Sequence, residues 1–360
     1  MNEKSLEVCI LAAGFGTRMR SSIPKVMQSL AGRPLLGHLI SSVEKLNPEK
    51  IHVVVGPEIE SVRQSFPSQN INWVTQTERL GTGHAVMQVM PHLGKHVRLL
   101  ILLGDAPLIT KNTMQDLIND DAPLTVLTSN IDDPQGYGRI IRDHGESISA
   151  IVEERDATEQ QMLIKEINTG VMVTNSSNLS EWLPKLSRKN SQGEFLLTDI
   201  VAIANEKGTV VSPFVTEDKL EISGVNTFVQ LADLERLLQQ RYAKDLQESG
   251  VHLVDPERFD QRGELVCGSD VYIDVNNIFE GHVTLGDGVR VGANCHIIDS
   301  VIEEGTIIKD HSHLQGCHVG PNCQLGPYAR LRPGTFLENK VTIGNFVEVK
   351  NTVIGKNTKA

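Results

Sequence analysis

In the C-terminal part of this chain a large apolar residue returns at every sixth position, a periodicity that leaves few folds open. Aliphatic or aromatic side chains stand at Ile273, Phe279, Leu285, Val291 and Ile297, again at Ile302, Ile308 and Leu314, and then at Val319, Leu325, Leu331, Leu337, Ile343 and Val349. Each of the two breaks in phase is the loss of one residue, as at a corner that tightens locally. Two positions ahead of these anchors sit small or β-branched residues, among them Val283, Val289, Thr306, Ser312, Ala329 and Val341. Gly286, Gly292, Gly320, Gly326 and Gly344 follow their anchors directly. A six-residue period fits a three-sided parallel β-helix, in which the anchor fills the interior, the small residue lies beside it and the glycine is expected to help turn a corner. An antiparallel β domain would alternate with period two and show no such comb.

The same comb accounts for most of the cysteines. Cys295, Cys317 and Cys323 fall on the small interior position, and with Cys9 and Cys267 they make an odd number without a CxxC pair. Neither a disulfide framework nor a zinc site is suggested, and the thiols are expected to be buried. His282, His296, His311, His313 and His318 lie among the same turns at spacings that match no ligand motif, which marks them as surface or packing residues.

The N-terminal two-thirds is written differently. Apolar runs at 7–11 and 51–55 read as buried strands separated by a loop and a helical stretch at 33–46, a βαβ beginning. Further strand-like runs at 71–74, 98–103 and 124–128 alternate with helical stretches such as 83–92, so a mainly parallel sheet covered on both faces is expected. Ligands of such sheets bind at the carboxyl ends of the strands, and Asp105 follows one of those ends. Between the two parts, Phe228, Leu231, Leu234, Leu237, Leu238 and Tyr242 recur at steps of three and four, which predicts one long connecting helix.

Charge narrows the partners. With 34 Lys+Arg against 45 Asp+Glu the formal charge is -11, which argues against nucleic acid or an anionic membrane, so an anionic substrate needs locally placed cations. No run approaches 18 apolar residues and the first apolar stretch is too short for a signal sequence, so a cytoplasmic location is expected. Suitable cations stand on one loop: Gly14-Phe15-Gly16-Thr17 follows the first strand, and Arg18 and Lys25, with Pro24 beside the lysine, lie on the same stretch. Glycines there let backbone N–H groups approach phosphate oxygens. The loop is neither a dinucleotide fingerprint, since Met19 stands where its third glycine would be, nor a P-loop, since no GK[ST] follows.

LAAGFGTRM followed by PK resembles the sugar-nucleotide pyrophosphorylases, and the resemblance continues in order through QTERLGTGHAV (76–86), LLGDAPL (102–108), YGRI (137–140), IVEERDA (151–157), EINTGVM (166–172), LTDIV (197–201) and GVNT (224–227). With the hexads behind it, the chain is similar to the bifunctional bacterial enzymes that join an N-acetylglucosamine-1-phosphate uridylyltransferase to a glucosamine-1-phosphate N-acetyltransferase. The resemblance implies an α/β fold: a Rossmann-like nucleotidyltransferase domain with a mainly parallel sheet at 1–227, a linker helix at 228–250, and a left-handed parallel β-helix of hexapeptide repeats at 251–360. It also implies conversion of UTP and N-acetylglucosamine-1-phosphate to UDP-N-acetylglucosamine and pyrophosphate, for cell-wall synthesis, and assembly as a homotrimer in the full-length parent.

The resemblance assigns residues as well. One Mg2+ would lie between Asp105 and Asn226, while Arg18 and Lys25 would stabilise the charge on the α-phosphate and on departing pyrophosphate. Leu11, Ala12, Ala13, Gly14, Gln76, Gly81 and Thr82 would grip the uridine, the Gln76 amide reading the uracil edge by paired donor and acceptor. Gly138, Glu153 and Asn168, with Thr169 as a further candidate, would contact the amino sugar. Arg332 and Lys350 would hold the glucosamine-1-phosphate of the acetyltransferase site. The sequence stops at Ala360, before the stretch that carries that family's general-base histidine and most acetyl-CoA contacts, so it reads as part of a longer protein and acetylation is not expected of it alone. The competing readings are a pyrophosphorylase for another hexose-1-phosphate and a non-catalytic scaffold subunit.

Overall fold

A computed structural model describes residues 5–14, 16–57, 59–67, 70–143 and 146–360. The chain divides into two compact units, one made of Met1–Gln28 and Pro34–Gln230, the other of Ser29–Arg33 and Leu231–Ala360.

Among the described residues, the first unit is built on a nine-stranded sheet. Its strands are β1 (Leu6–Leu11), β2 (Lys50–Val55), β3 (Ile71–Thr75), β4 (Arg98–Leu103), β5 (Leu124–Asn130), β6 (Arg139–Arg142), β7 (Ile148–Val152), β8 (Glu166–Asn175) and β9 (Val211–Val215). The order across the main path is β9-β5-β8-β4-β1-β2-β3, all parallel except β8, which runs antiparallel to both β4 and β5; the β6–β7 hairpin hangs from β8. Side chains alternate between two cores: Val8, Ile10, Leu100 and Leu102 pack on one face, Cys9, Leu99 and Ile101 on the other. Such double burial is why these strands read as unbroken apolar runs. Helices α1 (Leu35–Glu44), α2 (Thr82–Val89) and α3 (Lys111–Asn119) supply part of the cover, burying Leu36, Leu39 and Val43 from α1 and Val86 and Val89 from α2.

Order reverses at β1, which sits between β2 and β4. The loops leaving the carboxyl ends of β1 and β4 therefore flank a crevice at the switch point of the sheet.

The second unit holds most of α4 (Phe228–Glu248) and the left-handed parallel β-helix of hexapeptide repeats. Short strands such as Tyr272–Ile273, Arg290–Val291, Ile307–Ile308, Gln324–Leu325 and Thr342–Ile343 stack in parallel on one side. The other two sides form one ten-stranded sheet, because the strand Asn277–Leu285 bends around an edge and belongs to both. Successive coils are 18 residues apart where Ile273 meets Val291, and 17 where Leu285 meets Ile302. All the hexad anchors named above are buried, from Ile273 to Val349.

Truncating one anchor empties a column that neighbours cannot refill. Leu314→Ala is expected to destabilise the β-helix by about 3 kcal/mol, read as a shift of its unfolding transition in urea.

The glycine expectation needs correcting. Among the five that follow anchors, only Gly326 has a positive φ, +83°. The others serve close stacking: a Cβ on Gly292 would lie 2.3 Å from Asp310 Oδ1. Left-handed corners fall instead three residues after an anchor, at Asn276, Asn294, His311, Tyr328 and Phe346 along one edge. Where a residue is lost, the corner falls two after the anchor, at Asp299 and Gly316. Bulky residues take these strained positions where they stack: His311 lies 4.8 Å from Tyr328 with rings 5° from parallel, and Tyr328 lies 5.0 Å from Phe346. That contact contributes to offsetting the left-handed penalty.

Of the five coil histidines, His296, His311, His313 and His318 pack against other rings, while His282 is exposed beside Glu264. His318 stacks on Phe336 and bonds Glu303, and His296 meets His313 edge to face. Burial pushes the thiols of Cys295 and Cys317 up to about 11 and that of Cys267 to about 12, and it raises Cys9 as well. Thiolate is the reactive form. Cys267 is only half-buried, contrary to the expectation for all five, so at pH 7.5 a maleimide should spare Cys9, Cys295, Cys317 and Cys323 in the native protein and reach every thiol once it unfolds; one of those four consumed within minutes in the native state would contradict their burial.

Candidate active site

The crevice is assembled from three chain segments. At the end of β1, Ala12 N–H donates to the Val54 carbonyl at 2.7 Å, and the loop then runs over the top of the sheet; Phe15 lies outside the described residues. Gly16 takes φ +62°, and a Cβ there would lie 2.8 Å from Lys25 Cβ, so the loop closes tightly on the lysine. Lys25 opens a short 3-10 turn after Pro24 and is buried. From the end of β4, Gly104 N–H donates to the Leu11 carbonyl at 2.9 Å, which fixes Asp105 beside the loop. The Asp105 carbonyl in turn accepts from Val225 N–H at 2.9 Å and brings in Asn226.

Four side chains meet there. Lys25 Nζ donates to Asp105 Oδ2 at 2.5 Å and to Asn226 Oδ1 at 3.0 Å, and Arg18 Nη2 donates to the same Asn226 oxygen at 2.8 Å. Capping of the following helix falls to Thr227, whose hydroxyl accepts from Gln230 N–H while the Gln230 side chain accepts from Thr227 N–H. Asn226 is thus left to face the two cations. Two oxygens of different chain segments converge on one positive group, a donor set that suits a hard divalent cation.

To one side lies the pocket lined by Leu11, Ala12, Ala13, Gly14, Gln76, Gly81, Thr82 and Lys25. Gln76 is buried, and its Nε2 donates to the Gly81 carbonyl and to His84 Nδ1, both at 3.1 Å. Gly81 has φ +108° and a Cβ there would stand 2.5 Å from the Phe195 carbonyl oxygen, so no other residue fits. Arg79 Nε ties the Ala13 carbonyl to this side at 2.7 Å, and the Thr82 hydroxyl accepts from Leu197 N–H.

On the other side opens a cleft that Gly138, Glu153, Asn168, Tyr137 and Thr198 line together with Arg18, Asp105 and Asn226. Asn168 N–H donates to the Gly138 carbonyl at 2.9 Å, at the irregular stretch of β8 between Asn168 and Met172. Glu153 Oε1 accepts from the Thr198 hydroxyl at 3.1 Å. Burial raises the Glu153 pKa, and the nearby Asp199 and Asp156 raise it further against the lowering effect of Thr198. Thr169 differs from its neighbours, because its hydroxyl donates to the Leu127 carbonyl and accepts from Val171 N–H. Tyr137 and Thr198 were not singled out by sequence, although both lie within YGRI and LTDIV. Burial also raises the Tyr137 pKa, and the Asp105 charge adds to that.

Arg332 and Lys350 belong to the second unit. They occupy matching positions on adjacent coils, one residue beyond the Leu331–Val349 pair, and Arg332 Nη1 donates to Glu348 Oε1 at 3.1 Å.

Residues 8–166 match the MobA-like NTP transferase domain, and residues 261–359 match the GMPPB C-terminal domain. The fold resembles that of a Bacillus anthracis protein described as a glucose-1-phosphate thymidylyltransferase, solved with a sucrose, with a TM-score of 0.52 and 20% identity over 65% of this chain and 95% of that one. At that identity the likeness speaks for the fold alone. Sequence relatives are much nearer. The bifunctional protein GlmU of Marinobacter nauticus is 47% identical over 319 residues, 88% of this chain and 70% of the relative. Its counterparts from Stutzerimonas stutzeri and Acinetobacter baumannii are 48% and 50% identical over the same shares. The chain belongs to the family of the bifunctional protein GlmU.

Proposed function

We propose that this chain transfers UMP from UTP to N-acetylglucosamine-1-phosphate, giving UDP-N-acetylglucosamine and pyrophosphate. The observation that carries the reading is the convergence of Arg18, Lys25, Asp105 and Asn226 at the switch point, with one pocket on the Gln76 side and another on the Glu153 side. A phosphate oxygen of the sugar phosphate attacks the α-phosphorus, a new P–O bond forms, the bond to the bridging oxygen breaks, and pyrophosphate leaves with that electron pair. The nucleophile is already an anion, so positioning and charge neutralisation matter more than a base.

Residues of the described chain would share those tasks with a divalent cation. Lys25, held by two oxygens, and Arg18, at the open edge, would neutralise the α-phosphate and the departing pyrophosphate. Asp105 and Asn226 would hold a Mg2+, which when bound supplies Lewis-acid neutralisation of phosphate charge. Gln76, Gly81 and Thr82, with the 11–14 segment, would seat the uridine. Glu153, Gly138 and Asn168 would orient the amino sugar, with Thr198 holding the Glu153 carboxyl in place.

Three further parts of this reading concern the whole protein. Arg332 and Lys350, neighbours in the coil ladder, would hold a sugar phosphate in the family's second reaction. Val301, Phe336 and Val353 expose apolar side chains in one column of the β-helix, which suits trimer formation through its faces. No helix among the described residues is long and apolar enough to cross a membrane; a reaction that consumes UTP would belong in the cytoplasm, where that nucleotide is made.

Pyrophosphate release across a panel of nucleotides and sugar phosphates tests the reaction. UTP with N-acetylglucosamine-1-phosphate should give the highest kcat/KM, and chelation of divalent cations should abolish it. A preference for a sugar phosphate lacking the acetamido group would overturn the choice of substrate.

A further inference from the structure

We propose that His84 is a positioning residue that sets pyrimidine specificity, by locking the Gln76 amide with its oxygen toward the base. The inference rests on the Gln76 pocket being the uridine site.

Gln76 is 3% exposed, and the amide cannot choose its orientation freely. One edge faces the Gly81 carbonyl at 3.1 Å. A carbonyl only accepts, so that edge is the NH2 group. The second amide hydrogen points at His84 Nδ1, also at 3.1 Å, and finds a partner there only if that nitrogen is bare. A neutral imidazole has one bare nitrogen and one N–H, so the ring proton sits on Nε2. The Gln88 amide nitrogen, one turn along α2, stands 3.1 Å from Nε2 and is otherwise held only by a 3.4 Å bond to the His84 carbonyl, whereas the Gln76 nitrogen is pinned by Gly81, so it is the Gln88 amide that turns over to set its oxygen against Nε2–H. His84 is held in that orientation by stacking on Phe195, with ring centroids 6.4 Å apart and planes 28° from parallel.

A directional chain results, from His84 Nε2–H to Gln88 and from Gln76 Nε2–H to His84 Nδ1. Both Gln76 donors are consumed within the protein, and only the Oε1 acceptor is offered to a ligand. This replaces the paired donor and acceptor expected from the sequence. A uracil ring presents N3–H, which such an oxygen accepts. Cytosine presents a bare N3, whose lone pair the same oxygen repels, so the amide discriminates by repulsion as well as attraction. Without an acceptor at residue 84 the amide keeps one of its two anchoring bonds and its second hydrogen is left buried and unpaired, which weakens the lock by about tenfold in affinity ratio.

Two variants separate the acceptor from the ring. His84→Phe keeps the stack on Phe195 and removes the acceptor; His84→Asn loses the ring and can place Oδ1 where Nδ1 stands. UTP and CTP dissociation constants are measured by calorimetry on the full chain, alongside pyrophosphate release and the KM for the sugar phosphate. The expected result is a UTP preference in the parent chain, a drop of about tenfold in the UTP/CTP ratio for His84→Phe with the sugar-phosphate KM unchanged, and a ratio within about threefold of the parent for His84→Asn. A parent chain without preference, an unchanged ratio in His84→Phe, or an equal loss in both variants would overturn the role. Selective UTP binding that responds as expected, without pyrophosphate release, would instead sink the transfer reaction and leave the base lock standing.

Discussion

Asp105→Asn should lower turnover about a thousandfold, a loss of about 4 kcal/mol of transition-state stabilisation, while thermal unfolding stays nearly where it was. The substitution keeps the shape and one acceptor oxygen, so the bond from Lys25 survives in weakened form. Lost is the negative charge of a hard-oxygen donor set, and an amide oxygen is a much poorer partner for a divalent cation. The backbone of Asp105 is tied independently through its carbonyl to Val225, so Asn226 should stay in place. Steady-state pyrophosphate release and a melting curve on the same preparation read the two effects separately. An unchanged rate at saturating Mg2+ would remove Asp105 from the reaction.

Lys25→Met should cost about a hundredfold or more in kcat, with a smaller change in the KM for the sugar phosphate. Methionine retains the length and apolar stem of a side chain that is only 9% exposed, so packing against the loop persists. The missing ammonium leaves Asp105 and Asn226 facing each other without their shared cation and leaves developing phosphate charge unneutralised. Lys25→Arg should not restore the rate. The forked donors of a planar guanidinium cannot reproduce a point charge held by two oxygens. Rates near the parent level in either variant would show that the lysine is there for structure.

Sequence carried the hexads because a repeated buried position leaves its mark at a fixed interval, and anchors such as Phe279, Leu314 and Leu337 are all solvent-free. It carried Arg18, Lys25, Asp105 and Asn226 one by one, although residues 18 and 226 are joined only by tertiary structure. Corner chemistry was harder to read. Tyr328 and Phe346 hold left-handed conformations usually given to glycine or asparagine, and their stack on His311 joins residues of three different coils. Strand β8 and its reversal were hidden too, since EINTGVMVTN mixes polar residues and glycine with its apolar ones and shows no unbroken apolar run. Thr198 acts on Glu153, 45 residues away, and no local pattern marks out Thr198, Tyr137 or His84 within their motifs.

A crystal structure with UDP-N-acetylglucosamine and Mg2+ tests the central claim most directly. It should show the uracil against Gln76 and Gly81, the acetamido sugar beside Glu153 and Asn168, and the metal joined to Asp105 and Asn226 with Lys25 drawn onto phosphate. A nucleotide bound away from the loop between β1 and Lys25, or a metal held by neither Asp105 nor Asn226, would contradict it.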